Sequence, residues 1–367
     1  MNTLIQLSHP AQFHLYKNVA MNLIAKGHNV YLLIKTKDIL EDLIKEYGLP
    51  YYNILPVAHR KSKWGILLDM FIRDFRMFMF ARRHKVDVLT GTPSEVAHVG
   101  WLLGKGAINT NEDDAAVIKL FGTIAGPFLQ CVLSPRVCNN GDYEKHSIKY
   151  ESYHELAYLH PNHFTPDEKV VERYFSSEKP YFILRFAKLT AYHDDGISGI
   201  NTEIATKIID ILKPYGDIYI TSERELEPQF EQYRININPL DMHHVMAFAE
   251  LYIGDSQTMA AEAGVLGVPF VRFNDFVGRI GYLRELEEHY NLGYGVKPDN
   301  VERLYEVVQE LLEMPDRKEI FRDRQTKMLS EKIDYAKFLT WFIENYPKSK
   351  TIMKESPDYQ YNFKGEI

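Results

Sequence analysis

LYIGDSQTMAAEAGVLGVPFVRF, residues 251–273, decides the fold. It opens on the apolar run Leu251–Gly254, of the kind that forms a strand buried on both faces. Asp255 turns the chain, and Ser256 is suited to cap a helix running through Val265 by accepting from a first-turn N–H. Ala260, Ala261 and Ala263 give that helix a thin face that can lie close on a sheet. Gly264 and Gly267-Val268-Pro269 end it, and Val268–Phe273 is a second strand. A strand, a crossover helix and a strand in so few residues make a βαβ unit, and hence a parallel sheet.

The same alternation extends outward. Downstream of residue 180, strands are expected at Tyr181–Phe186, Asp217–Thr221 and, more weakly, Arg234–Ile237. Helices are expected at Asn201–Leu212, Asp241–Ala249, Val301–Leu312, Arg317–Glu331 and Tyr335–Tyr346. Upstream, Thr3–Leu7, Val30–Ile34, Val86–Thr90, Gly106–Asn109 and Leu129–Ser134 read as strands. Helices fall between them at Phe13–Lys26, Asp38–Tyr47 and a Ser94-capped segment through Leu103. A polar, Pro-containing stretch, His160–Pro180, separates the two series. The expectation is therefore α/β: two Rossmann-like, doubly wound parallel-sheet domains, 1–165 and 166–347, facing an interdomain cleft. Residues 348–367 lack periodicity and read as a strap or tail.

The chain of 367 residues is long enough for two such cores. Its charge of −7, from 43 Lys+Arg against 50 Asp+Glu, argues against a nucleic-acid partner. Its 2 cysteines, Cys131 and Cys138, exclude a disulfide framework and make poor zinc ligands, so no metal site is expected. The N-terminus lacks a signal-peptide pattern, and no apolar run approaches the roughly 18 residues of a spanning helix. A cytoplasmic location is expected. The segment Lys63–Lys85 mixes aromatic and basic residues. It reads either as a helix buried against the sheet or as one lying on the inner face of a membrane as a peripheral contact.

Open α/β sheets bind ligands beyond the carboxyl ends of their strands. The start of helix 256–265 is a ready phosphate site, through its unpaired amides and positive dipole end. Asp255, Ser256, Gln257, Thr258 and Met259 line that turn. Glu262 is placed either to accept ribose hydroxyls or to sit solvated on a surface face. Arg185, at a strand end, can clamp a diphosphate. Thr221 and Ser222 end the next strand, and His243 precedes the strand leading to Asp255. In the first domain, His9 and His14 follow the first strand and have the intrinsic pKa for removing a hydroxyl proton at neutral pH. Either can instead cap or pack. Asp113, within Glu112-Asp113-Asp114, is a third catalytic candidate, unless these carboxylates are the acidic first turn of a helix.

Thr258-Met259, Glu262-Ala263, Leu266-Gly267 and Pro269 resemble the donor-site motif of GT-B glycosyltransferases and UDP-N-acetylglucosamine 2-epimerases. The resemblance is closer to the family catalogued as domain of unknown function 354. Ser8–His14, Lys26–His28, Ile108–Ala115, Tyr153–Asp167 and Ile183–Phe186 agree with that family as well. Two glycines of the family's motif are Ser256 and Gln257 here, and the Gln side chain either narrows backbone approach to a pyrophosphate or itself contacts the donor. The resemblance implies a GT-B fold, a nucleotide-diphosphate-sugar donor and a carbohydrate or lipid-linked acceptor, with no cofactor or metal. It also implies weight for His14, Asp113 and Arg185 as site residues. The leading reading is a metal-independent glycosyltransferase of surface polysaccharide or glycolipid synthesis. A nucleotide-sugar 2-epimerase is the second reading, weakened because Thr90-Gly91-Thr92-Pro93 lacks the expected Asp. A non-catalytic nucleotide-sugar-binding protein is the third, kept open by Gln257. A dehydrogenase is disfavoured, because the first strand leads into SHPAQFH and not a Gly-rich turn.

Overall fold

Apolar strands that find no water on either face must be covered by helices on both, and two such sheets organise this chain. The structure is a computed structural model that describes residues 1–36, 39–55, 63–176, 179–187 and 199–365. The chain divides into two compact units: Met1–His163, joined by the segment beginning at Lys332, and Phe164–Glu331.

The first unit alternates β1 (Asn2–Leu7), α1 (Pro10–Ala25), β2 (Asn29–Lys35), α2 (Leu40–Glu46), β3 (Tyr51–Leu55) and α3 (Lys63–Arg83). It continues with β4 (Val88–Gly91), α4 (Glu95–Leu103), β5 (Gly106–Thr110), α5 (Lys119–Ala125), β6 (Cys131–Pro135) and β7 (Ser147–Tyr150). All neighbours pair in parallel, in the order β3-β2-β1-β4-β5-β6-β7. The order reverses between β1 and β4, the switch point where such sheets take ligands.

The second unit contains α6 (Glu168–Val171), β8 (Tyr181–Phe186), α7 (Thr202–Leu212), β9 (Asp217–Ser222), α8 (Met242–Ala247), β10 (Leu251–Gly254) and α9 (Gln257–Val265). β11 (Phe270–Phe273), α10 (Gly281–Arg284), β12 (Gly293–Val296), α11 (Val301–Glu313) and α12 (Arg317–Glu331) complete it. Its parallel order is β12-β11-β10-β8-β9, with the switch point between β8 and β10.

The chain then returns to the first unit with α13 (Tyr335–Glu344) and α14 (Lys348–Glu355). Ile333 N donates to Glu151 O at 2.9 Å, and the Tyr335 ring stacks on Tyr150 at 4.2 Å. α13 packs on α1, where Glu344 pairs with Lys26 at 2.6 Å and His28 at 3.0 Å. These contacts draw residues 332–347 to the first unit, whereas periodicity alone assigned them to the second. Beyond residue 347 the chain forms α14 and a 3-10 turn at Pro357–Phe363, whose Gln360 is buried and accepts from Glu151 N at 2.6 Å.

Three strands escape the sequence patterns: β3, β7 and β12. Arg234–Ile237, expected as a strand, makes a single bridge from Arg234 to Ile220. Ser94 makes no capping bond at the start of α4, although it was expected to. β12 is the instructive case, because GYGV contradicts strand propensity. A Cβ on Gly293 would lie 2.4 Å from the Phe270 ring of β11, so the glycine is what lets that wholly buried ring sit between the strands. Gly293→Ala should therefore destabilise the protein by about 1–3 kcal/mol through overpacking. Urea titrations of this variant and of Gly293→Ala/Phe270→Leu should show the second change restoring part of the loss.

Candidate functional site

The carboxyl edge of the second sheet gathers most of the expected site residues. Gly254 ends β10, where a Cβ would fall 2.8 Å from Arg185 O and 2.9 Å from Arg185 Cβ. Its lack of a side chain is what lets β8 and β10 close at the switch point. Asp255 follows, almost wholly buried, and its carboxylate accepts from Ala187 N at 2.6 Å and Ile200 N at 3.3 Å. The carboxylate thus ties the end of β8 and the approach to α7 to β10. Burial pushes the Asp255 carboxyl up to about 6, against the opposing pull of those two N–H donors.

Ser256 takes extended backbone, and its Oγ accepts from Met259 N at 3.4 Å, the expected cap of α9. The first N–H groups of a helix have no partner within it, so with Met259 N–H taken by the cap the turn presents the Gln257 and Thr258 donors and a positive dipole end. Ala260, Ala261 and Ala263 are fully buried, so α9 lies close on the sheet. Glu262 is buried too, and its Oε1 lies 3.0 Å from Nε2 of His243 on α8. The solvated-surface reading of Glu262 is therefore excluded. His243 is buried against it, with the Phe164 ring edge-on at 6.2 Å. His244 turns the other way, and its Nδ1 accepts from Asp167 N at 3.0 Å at the start of α6.

Arg185 is in register with both Gly254 and Thr221. Its Nη2 pairs with the half-exposed Glu223 carboxylate. Ser222 Oγ donates to Arg224 O at 2.7 Å and closes a tight turn. Among the described residues, Arg185 Nε, Thr221 Oγ1 and Gln257 Oε1 are each buried with no hydrogen-bond partner. Native interiors rarely leave such groups unmet unless something else meets them.

Sequence reasoning missed the network beneath this edge. Arg272 of β11, fully buried, donates through Nε and Nη2 to Glu287 Oε1 at 3.0 and 2.8 Å, and through Nη1 to Asn274 Oδ1 at 3.2 Å. Asn274 Nδ2 in turn donates to Asp255 O at 3.0 Å. Burial raises the Glu287 carboxyl, and Arg272 opposes that rise. An arginine within the apolar run VPFVRF was the available signal, since a charge there must be paired.

In the first unit the candidates are dispersed over several elements. His9 is the N-cap of α1, its Nδ1 accepting from Ala11 N at 3.2 Å. A ring that accepts at Nδ1 carries its proton on Nε2, so in this state it is a donor. His14 is buried on α1, its ring 5.3 Å from that of Tyr158. The acidic cluster is not the first turn of a helix, because α5 begins only at Lys119. Instead Glu112 receives His154 Nδ1 at 3.2 Å, and Asp114 receives Asn139 N at 3.0 Å. Asp113 is framed by Asn111, which donates to its carbonyl at 2.8 Å and accepts from its N–H at 3.3 Å. Burial holds the His154 ring down at about 4, so it is neutral at pH 7. Tyr16 joins Thr90 and Thr110 through hydroxyl contacts of 2.7 and 3.1 Å where β4 and β5 end.

Residues 3–276 match the family model described as "Protein of unknown function (DUF354)". The chain belongs to this family. No curated protein matches the DUF354 chain. Among solved structures, the spinosyn forosaminyltransferase SpnP aligns at TM-score 0.64 and 14% identity, over 94% of this chain and 100% of that one. The spinosyn rhamnosyltransferase SpnG, complexed with thymidine diphosphate, aligns at TM-score 0.61 and 13% identity, over 94% and 100%. A protein assigned as a UDP-N-acetylglucosamine 2-epimerase from Listeria monocytogenes aligns at TM-score 0.63 and 10% identity, over 90% and 95%. The fold of this DUF354 protein is thus that of the GT-B glycosyltransferases, two parallel-sheet α/β units. Among the described residues, no cluster of His, Cys, Asp or Glu is arranged to hold a metal ion. Among them too, no helix is long and apolar enough to cross a membrane.

The Asp255 carboxyl gives a signed pH dependence. Its proton is held more tightly in the folded state, at about 6 against an ordinary 3.8. Its stabilising contribution is therefore complete below about pH 4 and lost as pH rises through about 6. In urea titrations between pH 4 and 7, Asp255→Asn should lack a pH-dependent increment on the order of 3 kcal/mol. Identical pH profiles for the two proteins would show that Asp255 does not titrate in this way.

Proposed function

We propose that the carboxyl edge of the second sheet holds a nucleotide-diphosphate sugar, and that the protein is a metal-independent glycosyltransferase. The observation that carries this reading is the set of unmet buried polar atoms, Arg185 Nε, Thr221 Oγ1 and Gln257 Oε1, beside the capped start of α9. The diphosphate would take the α9 amides and the Arg185 guanidinium, which would exchange its Glu223 partner for the anion. Charge growing on the leaving diphosphate is what such donors stabilise best. Glu262, oriented by His243, would accept a ribose hydroxyl. Thymidine diphosphate in SpnG is a ligand of that chemical class.

On the first unit we propose acceptor binding, with His14 taking the acceptor's proton and Asp113 as the next candidate. His9 is the weaker base, because its Nδ1 lone pair is already engaged in the cap. The acceptor is proposed to be a carbohydrate or lipid-linked sugar of surface polysaccharide or glycolipid synthesis, with the enzyme working in the cytoplasm. The epimerase reading gains nothing from the strand end at Thr90–Pro93, where Thr90 meets the Tyr16 hydroxyl and no carboxylate is present.

Calorimetric titration with uridine, thymidine, guanosine and adenosine diphosphates and their sugars tests the donor site. One nucleotide should bind saturably, and Arg185→Ala should weaken it by roughly 10- to 100-fold, the worth of a charged hydrogen bond. Failure of every nucleotide to bind would overturn the reading. With a turnover assay in hand, His14→Asn should lower kcat by about 10²–10⁴-fold with donor affinity unchanged. Retained turnover in that variant would move the base to Asp113.

A further inference from the structure

The side chains of α3 are arranged against the usual pattern of a surface helix. Its inner face is fixed by Met77 and Ala81 in the core and by two ion pairs with α4. Arg73 pairs with Glu95, and Asp74 Oδ2 lies 3.0 Å from His98 Nδ1. Arg76 Nη1 adds a bond to Ile54 O at 2.7 Å. Arg73 and Asp74 thus hold the helix on its α4 side, and the large side chains it turns to solvent along its middle are apolar. Leu68, Phe71, Phe75 and Met79 are 49%, 58%, 65% and 49% exposed. At 3.6 residues per turn these four project within an arc of about 80°. Arg82, exposed in the last turn, continues the same arc, and exposed Arg76 and Arg83 flank it. Over Lys63–Lys85, six Lys and Arg stand against two Asp, while the whole chain is at −7.

Large contiguous apolar surface is rare on a soluble monomer and marks a partner. An apolar stripe edged with arginines is complementary to a bilayer carrying anionic headgroups: the rings enter the boundary of the acyl chains and the guanidiniums meet phosphate. We propose that α3 is a membrane-surface anchor, lying in the plane of an anionic bilayer through Leu68, Phe71, Phe75 and Met79. This does not depend on the donor-site reading. Of the two sequence readings of this segment, burial against the sheet accounts only for the opposite face of the helix.

Co-sedimentation of the full-length protein with vesicles decides it, using phosphatidylcholine alone or mixed with phosphatidylglycerol. The wild type should pellet with the anionic vesicles, not with the neutral ones, and should be released by salt. Arg82→Gln/Arg83→Gln should weaken partitioning roughly thirtyfold, the loss of two surface-facing charges. Phe71→Glu/Phe75→Glu should abolish it, with the thermal transition of the protein retained because both rings are exposed. Absence of pelleting with anionic vesicles at low salt would overturn the proposal, as would variants that pellet like the wild type. A concentration-dependent dimer that Phe71→Glu/Phe75→Glu returns to monomer, with no vesicle binding, would assign the face to a second copy of the chain instead.

Discussion

Asp255 is buried at the switch point of the second sheet, and its carboxylate and backbone tie three segments together: the end of β8, the approach to α7 and the end of β11. Its oxygens hold Ala187 N and Ile200 N, its own N–H lies 3.4 Å from Arg185 O, and its carbonyl receives Asn274. Through Asn274 it is tied to Arg272 and so to Glu287 beyond β11. Burying a carboxylate is unfavourable unless donors surround it, and here the donors are backbone amides whose positions are fixed by the sheet. The constraint therefore runs both ways: the fold supplies the amides, and the carboxylate fixes where the chain enters α9. Without Asp255 in that place, Ser256 has no defined position from which to cap the helix, and the α9 amides point nowhere in particular.

The pairing of His243 with Glu262 adds a second level. A buried carboxylate on a helix lined by alanines would be costly alone, and the imidazole lets it stay where a ribose hydroxyl could reach the helix. Glu262 lies six residues beyond the Ser256 cap, so its direction is set by the same turn that aims the amides. The phosphate and ribose contacts of the proposal then both fall on one short helix, held at its cap and at its middle.

Local signals were legible and distant partners were not. Ser256 as a cap, the thin alanine face of α9 and the parallel alternation all follow from residues within one turn or one strand of each other. The partner of Glu262 lies on another helix, that of Glu112 is His154, and that of Arg272 is Glu287. None of these pairs carries a spacing rule, because the sheet brings them together and the chain between them does not. Likewise the glycines of β12 spoke against a strand until the Phe270 ring explained them. For α3, hydrophobic residues on every side left its orientation undetermined. The ion pairs of Arg73 and Asp74 with α4 determine it, turning Phe71 and Phe75 outward while Phe78 and Phe80 pack against the core.

The two sheets differ in the kind of polarity they bury at their carboxyl edges. The second concentrates charge there: Arg185, Asp255, Glu262 and Arg272. The first buries hydroxyls and amides at the ends of β1, β4 and β5, Gln6, Thr90, Asn109 and Thr110, with Tyr16 of α1 among them and the carboxylates Glu112, Asp113 and Asp114 in the turn beyond β5. Charge in a low-dielectric site interacts strongly with a charged ligand, whereas neutral hydroxyls and amides recognise neutral polyols at little desolvation cost. The proposed assignment, a nucleoside diphosphate on the second sheet and an uncharged sugar on the first, is the one that accords with this difference. The reverse would leave the Arg185 guanidinium and the α9 amides without an anion, and would press a dianion against the Asn109 Oδ1 lone pairs.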